Sequence, residues 1–372
     1  MHKTRWIVAA LATVGMAAQA WGEAPKGALK TRNVILVMSD GLRWQEVFGG
    51  ADSSMFTKEN GVSNAEGVKR AYGRETPEAR RQALLPFISN VVAKQGRLFG
   101  DEGSESKVTN GMNFSYPGYN EVFTGFGDPR IDSNDPNPNP NVTVFEWLND
   151  KDAYRDKVAA FGSWDCFPAI LNRDRSGMKI VACWEPPTGD DLTPQEKLLG
   201  EVITNTYRLW EGCGYDSLTF FAAHEHMKRA KPRVMFIGFG ETDEFAHAGK
   251  YADYLNSANK FDQYVKTLWE TLQSTPEYRD QTTLILTADH GRGDAPVEWR
   301  RHGAKVKGAE RIWIGVLGPD TSPADGKPLP KADQNQIAAT IAALLGEDYN
   351  AYQPKAGPVI PTVVAPAAAA AE

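Results

Sequence analysis

Three short runs of the chain are apolar almost without interruption, and this pattern leaves few folds open. They extend from Asn33 to Asp40, from Arg233 to Gly240 and from Thr282 to Asp289. A strand with one wet face alternates apolar and polar residues, whereas a strand buried on both faces of a parallel sheet is apolar throughout. The runs therefore predict a parallel sheet that is covered on both sides.

Helical patterns fall between the apolar runs, and two weaker strand-like runs, Lys157–Gly162 and Ile312–Gly318, extend the series. The predicted helices are Thr76 to Gln95, Phe145 to Asp150, Pro194 to Trp210, Ala252 to Leu272 and Gln334 to Leu345. Alternating strands and helices imply right-handed crossovers. The predicted fold is α/β, a parallel doubly wound sheet with helices on both faces, whose ligands bind beyond the carboxyl ends of the strands.

The two ends of the chain differ in composition from the part between them. Residues 1–20 have a basic start, an apolar stretch from Trp6 to Met16 and a small-residue cleavage pattern at Ala18 to Ala20, as in a secretory signal peptide. That stretch is too short for a stable membrane anchor. We expect residues 21–353 to form a single α/β hydrolase domain and residues 354–372, rich in Pro and Ala, to form a disordered tail.

Charge and cysteine content narrow the possible partners. Removing residues 1–20 takes away Lys3 and Arg5 and changes the net charge from -6 to -8. An acidic surface argues against a nucleic-acid platform but leaves a small phosphorylated substrate possible, since bound cations dominate a local site. We expect a periplasmic or secreted protein. Its cysteines, Cys166, Cys183 and Cys213, form either one disulfide and one free thiol or three free thiols.

Possible metal ligands follow three predicted strands. Asp40 ends the first apolar run, Asp243 and His247 come just after the second, and Asp289 and His290 end the third. Zinc binds imidazole nitrogens and carboxylate oxygens. Because the strands are parallel, their carboxyl ends lie at one edge of the sheet, and the side chains there form a candidate metal site.

Each of these residues also has an ordinary structural interpretation. Asp40 is consistent with a turn acid that caps a helix, and Asp243 with His247 four residues later is consistent with an exposed helix start. His302 alone is typical of a surface loop. The complete set, rather than any single member, favours a metal site. His224 and His226 lie in a predicted helix, where surface histidines are the expected interpretation.

Taken in order, these residues resemble the alkaline-phosphatase superfamily, and its nucleotide pyrophosphatase/phosphodiesterase branch in particular. The resemblance extends from about Asn33 to Gly318. Its motifs are Val37–Gly41, Ser115–Pro117 continuing to Phe123–Gly125, Gly240–His247, Thr287–Gly291 and His302–Gly303.

The resemblance implies two Zn²⁺ sites and a serine nucleophile. One site would comprise Asp243, His247 and His302, and the other Asp40, Asp289, His290 and the Ser115 oxygen. Ser115 matches the family's nucleophile, two residues before a proline. Asn134 falls near the place where that branch has an amide that binds phosphoryl oxygens, and a turn asparagine is the alternative interpretation.

Two departures bear on the choice within the superfamily. Sulfatases have Arg four residues after the Cys or Ser nucleophile, whereas this chain has Tyr119 there. The cofactor-independent phosphosugar mutases are cytosolic, which the predicted signal peptide disfavours. The resemblance therefore favours an exported di-zinc phosphoester hydrolase that forms a phosphoseryl intermediate, with a sulfatase or a phosphoryl-group transferase as alternatives.

The choice between diesters and monoesters depends on what surrounds the phosphoryl group. A monoester's extra charged oxygen calls for a cationic donor, and Arg173 and Arg175 are candidates, with a solvated turn as the alternative. A diester calls for an apolar surface for its second substituent, for which Phe114, Tyr116, Tyr119 and Trp164 are candidates unless they are core residues. We expect a phosphodiesterase or nucleotide pyrophosphatase, with a phosphomonoesterase as the main alternative.

Overall fold

A seven-stranded sheet forms the centre of the protein in the computed structural model, which describes residues 29–323 and 329–364. The strands are β1 Asn33–Ser39, β2 Arg97–Phe99, β3 Ser106–Lys107, β4 Val158–Gly162, β5 Lys179–Ala182, β6 Val234–Phe239, β7 Thr282–Thr287, β8 Arg311–Ile312 and β9 Ile314–Leu317. Their order across the sheet is β2-β9-β7-β1-β6-β4-β5, and β3 pairs separately with β8.

Five adjacent strands, from β7 to β5, are parallel, as predicted from their apolar runs. The prediction was wrong for Ile312–Gly318, because β9 runs antiparallel to β7 and to β2. A parallel return to the sheet needs a crossover, usually a helix. The segment between β7 and β8 instead contains a single short 3₁₀ turn, Glu298–Arg300, and brings the chain back along the edge of β7.

Fourteen α-helical segments surround the sheet in the described part of the chain. They are α1 Trp44–Gly49, α2 Ala65–Tyr72, α3 Pro77–Leu84, α4 Ala93–Gln95, α5 Ser115–Thr124, α6 Val144–Asn149, α7 Phe167–Ile170, α8 Arg173–Ser176, α9 Pro194–Asn205, α10 Asp216–Ala230, α11 Glu241–His247, α12 Tyr251–Ser274, α13 Ile337–Leu344 and α14 Tyr349–Tyr352. Short 3₁₀ turns at Ser53–Met55, Lys58–Asn60 and Gln334–Gln336 and a π-helical turn at Ile88–Val92 complete the described helices.

The sheet separates two hydrophobic cores, which explains the uninterrupted apolar runs. In β1, Ile35 and Val37 face one core, and Leu36 and Met38 face the other. The first core is covered by α9, α10 and α12, and the second by α5, α6 and α13. Because successive side chains of a strand point to opposite faces, both sets must be apolar. The predicted covering of both faces is confirmed.

The helix predicted from Thr76 to Gln95 is interrupted in its middle. Helix α3 ends at Leu84, and Leu85 leaves the helical region because a proline follows it. The chain then restarts as the π-helical turn Ile88–Val92. The carboxylate of Asp262, on α12, accepts the N–H groups of Phe87 and Ile88 at 2.8 Å each, so the new start is tied to a neighbouring helix.

The first part of the predicted disordered tail is ordered against the domain. Residues 354–364 lie against the protein, and Ile360 and Val363 are fully buried in the second core. The Ile360 N–H donates to Thr340 Oγ1 at 2.9 Å, and Thr321 Oγ1 donates to the Val363 carbonyl at 2.9 Å. The Pro/Ala content misled the prediction because these few apolar side chains fit against α13. The rest of the predicted tail, like the predicted signal peptide, lies outside the described residues.

Within residues 29–323 and 329–364, no helix combines the length and the apolar character that a bilayer span requires.

Candidate metal centre

The arrangement of three neighbouring strands places three aspartates together. Strand β1 lies between β6 and β7, so the carboxyl ends of all three are adjacent. Asp40 directly follows β1, Asp289 lies two residues beyond β7, and Asp243 lies in α11, which begins after β6. Thr242 Oγ1 donates to the Asp40 carbonyl at 2.6 Å and thereby ties α11 to the end of β1.

His290 lies at the middle of this group. Its Nε2 is 3.3 Å from Asp40 Oδ1, 3.3 Å from Asp289 Oδ2 and 3.8 Å from Asp243 Oδ1. Its Nδ1 is 2.9 Å from the Gly291 carbonyl. A carbonyl oxygen only accepts hydrogen bonds, so in the neutral ring Nδ1 carries the proton and Nε2 presents its lone pair to the carboxylates. This is the tautomer that a metal ligand needs.

The other two predicted histidines lie beside Asp243. His247 Nε2 is 2.9 Å from His302 Nε2 and 3.1 Å from Asp243 Oδ2, and His302 Nε2 is 3.9 Å from Asp243 Oδ1. The His302 ring stacks on that of His290 at 4.0 Å between centroids. The Gly303 N–H donates to the Asn113 carbonyl at 2.8 Å, which holds the His302 loop against the segment that leads to α5.

The six acids and histidines therefore form one continuous cluster. Ligand atoms of Asp40, Asp289 and His290 lie within 4.8 Å of one another, and so do those of Asp243, His290 and His302. The resemblance assigned His290 to a single site, whereas here it borders both groups. His247 joins the second group through its short distances to Asp243 and His302.

Ser115 is the first residue of α5 and faces this cluster. Its Oγ lies 3.4 Å from His290 Nε2, and the side chain is buried. Helix α5 approaches Asp289 so closely that a Cβ on Gly118 would lie 2.3 Å from the Asp289 carbonyl oxygen, which explains the glycine at that position. One helical turn after Ser115, the Tyr119 hydroxyl donates to Asp40 Oδ2 at 3.1 Å.

Asn134 also lies beside the start of α5. Its Oδ1 accepts the Tyr116 N–H at 3.0 Å and so satisfies one of the unpaired donors at the helix start. The amide therefore lies next to Ser115, although the observed contact is to the backbone.

Charge and burial oppose each other in the cluster. Burial and the neighbouring Asp40 carboxylate raise the pKa of Asp289 well above its ordinary value. Burial disfavours the charged form of His290, but Asp289 and Asp40 outweigh it and raise its pKa to about 9. Burial and the charge of His290 hold the pKa of His302 far below its ordinary value. Such perturbed groups cluster at functional sites.

The side chains of the cluster carry the oxygen and nitrogen donors that divalent cations need. Within the described residues, Asp40 Oδ1, Asp289 Oδ2 and His302 Nδ1 are buried and have no hydrogen-bond partner. Buried polar atoms without partners are costly, and carboxylates this close repel one another. Cations bound between the carboxylate oxygens and imidazole nitrogens would remove both costs, so the residues present fit metal binding.

Arg173 and Arg175, the candidate donors to a monoester, each pair with an acidic side chain. Arg173 pairs with Glu185 through two nitrogens at 2.6 and 2.9 Å. Arg175 pairs with Glu146 at 2.6 and 2.8 Å and donates to backbone carbonyls. Both arginines thus have acidic partners brought together by the fold, and sequence spacing gives no sign of such partners.

Sequence reasoning missed Arg292, which is fully buried beside the cluster. Its Nη2 contacts Asp243 Oδ1, and its Nη1 donates to the Arg300 carbonyl at 3.0 Å. Burial lowers its pKa to about 9, against the opposing effect of Asp40, and the group stays cationic at neutral pH. Its position two residues after His290 is the only sequence signal, and it does not distinguish this arginine from one in a surface loop.

The remaining candidate side chains differ in their burial and contacts. Tyr116 and Tyr119 are core residues, whereas Phe114 and Trp164 are half-buried. His224 bonds Thr271 at 2.9 Å. The ring of His226 packs against Phe161. The three cysteines are free thiols.

A family model matches part of the chain, and solved structures match its fold over most of its length. Residues 216–345, which contain five of the ligand candidates, match the model of the metalloenzyme superfamily. A stretch of 148 residues is 26% identical to a 2,3-bisphosphoglycerate-independent phosphoglycerate mutase of Trypanosoma brucei brucei, and it covers 36% of this chain. The match spans about a quarter of that relative's length, 26%.

Solved structures share the fold at low sequence identity. A putative sulfatase from Bacteroides thetaiotaomicron superposes with a TM-score of 0.57 at 16% identity, over 90% of this chain and 74% of that one. A protein in the alkaline phosphatase superfamily from Vibrio parahaemolyticus gives 0.51 at 14% identity, over 88% and 69%.

The zinc complex of the C-terminal periplasmic domain of EcEptC from Escherichia coli gives a TM-score of 0.50 at 12% identity, over 94% of this chain and 90% of that domain. These matches support the superfamily predicted from the motifs, and the branch is not established. Residues 216–345 thus resemble the metalloenzyme superfamily, and the chain has an alkaline-phosphatase-like α/β fold.

Proposed function

We propose that this protein is an exported phosphoester hydrolase that uses two divalent cations, expected to be Zn²⁺, and Ser115 as its nucleophile. The observation that carries the proposal is the position of Ser115 Oγ, 3.4 Å from His290 Nε2 at the centre of three carboxylates. A serine hydroxyl needs activation to attack at neutral pH. Its burial beside a cation-binding cluster supports that role.

Two groups of side chains would hold the cations. Asp40, Asp289 and His290 form the group nearer to Ser115, and Asp243, His302 and His247 form the other. Cations held there would supply positive charge that polarises the phosphoryl group and favours the ionised serine.

The reaction balances as a double displacement at phosphorus. Ser115 Oγ forms a bond to phosphorus while the bond from phosphorus to the leaving oxygen breaks. The serine proton departs to solvent, and the leaving oxygen takes up a proton and becomes an alcohol. Water then hydrolyses the phosphoseryl enzyme and restores the Ser115 hydroxyl. The N-terminal end of α5, where Ser115 is the first residue, adds a favourable dipole for the phosphoryl oxygens.

Diesters are the preferred substrates in this proposal. A monoester carries one more negative charge than a diester and favours a free guanidinium donor. The two candidate donors, Arg173 and Arg175, are paired with Glu185 and Glu146, respectively. The paired arginines thus support a phosphodiesterase or nucleotide pyrophosphatase over a phosphomonoesterase.

A phosphoryl transferase is the second candidate, and the match to a phosphoglycerate mutase supports it. In that case a substrate alcohol, rather than water, would take the phosphoryl group from Ser115. Release of phosphate or of a phosphomonoester in plain buffer distinguishes the hydrolase from the transferase, because the transferase needs an added acceptor.

The proposal is tested with the wild-type protein and Ser115→Ala. We expect zinc-loaded wild type to hydrolyse bis(p-nitrophenyl) phosphate faster than p-nitrophenyl phosphate and p-nitrophenyl sulfate. Ser115→Ala should lose roughly 10³-fold or more in turnover while its metal content, measured by mass spectrometry, shows that the other ligands still bind. Full activity in Ser115→Ala with metal present would refute the nucleophile, and preferential sulfate-ester hydrolysis would refute the substrate class.

A further inference from the structure

We infer that Arg292 is a positioning residue of the metal centre, which orients the Asp243 carboxylate and anchors the His302 loop to it. This inference rests on the proposed function because it presupposes that the cluster binds divalent cations. Nothing in the sequence motifs assigns a role to this arginine.

The guanidinium of Arg292 joins two segments of the chain that carry ligands. Its Nη2 contacts Asp243 Oδ1 and lies 3.4 Å from the Asp243 carbonyl oxygen. Its Nη1 donates to the carbonyl of Arg300 at 3.0 Å, two residues before His302. The planar, forked guanidinium fixes direction as well as distance. One side chain thus sets the position of α11 relative to the loop that bears His302.

The contact with Asp243 leaves both carboxylate oxygens facing imidazoles. Oδ1, which Arg292 contacts, is also the atom that lies 3.8 Å from His290 Nε2 and 3.9 Å from His302 Nε2. Oδ2 lies 3.1 Å from His247 Nε2. A carboxylate oxygen accepts more than one partner. Arg292 can therefore hold the rotation of the carboxylate while its remaining lone pairs point to the cation position.

The turn after β1 is shaped around this pair. Gly41 has a φ of +57°, and a Cβ there would lie 2.7 Å from Arg292 Nε and 3.1 Å from Asp243 Oδ1. The Gly41 N–H donates to Asp289 Oδ1 at 3.0 Å, so the same turn also contacts the other ligand group. Within the described residues Arg292 Nε is buried without a partner. A buried cation with one unpaired donor destabilises the fold. A role in orienting Asp243 therefore explains the buried Arg292 better than a purely stabilising role does.

The test compares Arg292→Gln and Arg292→Lys with wild type and with Arg229→Gln. Arg229 is a matched control because it pairs with Glu196 and Asp191, neither of which belongs to the cluster. Zinc affinity is measured by competition with a chromophoric chelator, zinc content by mass spectrometry, and the stability of the metal-free protein by thermal unfolding.

We expect Arg292→Gln to bind zinc about 10- to 100-fold more weakly, as for other residues that orient a ligand, and to lose one zinc before the other. Arg292→Lys keeps the positive charge but not the forked guanidinium, and its zinc affinity should lie between those of Arg292→Gln and wild type. Arg229→Gln should lower the unfolding temperature of the metal-free protein without changing zinc affinity. If Arg292 had only a structural role, Arg292→Gln would give the same result.

Wild-type zinc affinity and content in folded Arg292→Gln would overturn the inference and leave the proposed function standing. If Arg292→Gln does not fold, Arg292→Lys decides the matter, and wild-type affinity in that variant would overturn the inference. Failure of the wild-type protein itself to bind zinc would instead overturn the proposed function.

Discussion

At the scale of single residues, the cluster is arranged for binding rather than for stability. Asp289 is fully buried, and burial together with the Asp40 carboxylate raises its pKa. Its Oδ1 accepts the Gly41 N–H at 3.0 Å, but within the described residues its Oδ2 has no partner. Without cations, this acid carries the cost of burial and of like-charge repulsion.

We therefore expect Asp289→Asn to stabilise the metal-free protein and to weaken metal binding. The amide keeps an oxygen for the Gly41 N–H and removes the repulsion with Asp40. The unfolding temperature of the metal-free variant should rise by a few degrees, consistent with the usual conflict between stability and function at active sites. The gain in unfolding temperature that zinc gives the wild type should become smaller. Differential scanning fluorimetry with chelator and with zinc measures both effects.

Asp262→Asn provides the control for this prediction. Asp262 is also buried, but its two oxygens each accept a backbone N–H at 2.8 Å, from Phe87 and Ile88. An amide there turns an NH₂ group towards a donor, so this variant should be less stable with or without zinc. Equal loss of stability in Asp289→Asn and Asp262→Asn would contradict the account of the cluster.

The meeting of the three aspartates at one edge of the sheet could be predicted because each depends on local sequence and on one rule of topology. Asp40, Asp243 and Asp289 each follow a buried parallel strand, and such strands bring their carboxyl ends to one edge. Arg292 could not be predicted, since its partner Asp243 is distant in sequence and lies in another element. The pairing of Arg175 with Glu146 was missed for the same reason.

At the scale of elements, helix α5 is held in place by one of its own side chains, the buried Glu121. Glu121 accepts the N–H groups of Thr109 and Asn110 at 2.8–3.1 Å and the Thr109 hydroxyl at 2.7 Å. These bonds fix the segment that leads into Ser115. Burial raises the pKa of Glu121 to about 7, although its hydrogen bonds from Thr109 and Asn110 oppose the rise.

This shift predicts a pH dependence of stability with a defined sign. Because the pKa in the folded protein lies above the ordinary value of 4.5, the folded state holds the proton more tightly than the unfolded chain. The stabilisation from protonated Glu121 is complete below about pH 4.5 and is lost as the pH rises to about 7. At about 1.4 kcal/mol per pKa unit, it amounts to about 3 kcal/mol.

Glu121→Gln tests this expectation because the amide does not titrate. The free energy of unfolding, measured in urea from pH 5 to pH 8, should fall less steeply with pH in the variant than in the wild type. Glu78→Gln is the control, since Glu78 is an exposed residue in the first turn of α3 and should leave the wild-type slope unchanged. Parallel curves for Glu121→Gln and wild type would contradict the assignment of the slope to Glu121.

The strand and helix predictions failed where pairing over long distances decided the outcome. Apolar content predicted a strand at Ile312–Gly318, but its direction depends on the segment that joins it to β7. Helix α5 was not predicted from the sequence pattern, because it is buried throughout and therefore shows no polar face. Composition likewise predicted disorder at residues 354–364, because only tertiary packing shows that Val363 is buried.

At the scale of the whole molecule, the cluster connects parts of the chain that are distant in sequence. Its members follow β1, β6 and β7, and His302 comes from the loop before β8. The contacts that hold that loop include the Gly303 N–H to the Asn113 carbonyl and the Arg292 contact with Asp243. Cations bound in the cluster would therefore join the carboxyl edge of the sheet to this loop.

Metal removal should accordingly destabilise the entire fold. A ligand that binds only the folded state at 100 times its Kd contributes about 2.7 kcal/mol to the free energy of unfolding. Chelation with EDTA should lower the unfolding temperature by several degrees and speed proteolytic cleavage between residues 291 and 310, and added zinc should reverse both effects. The double variant Asp243→Asn/His290→Ala, which lacks a ligand from each group, should respond to neither reagent. If the wild type and the double variant respond alike, the stabilising zinc binds outside this cluster, and the cluster does not link the sheet edge to the loop.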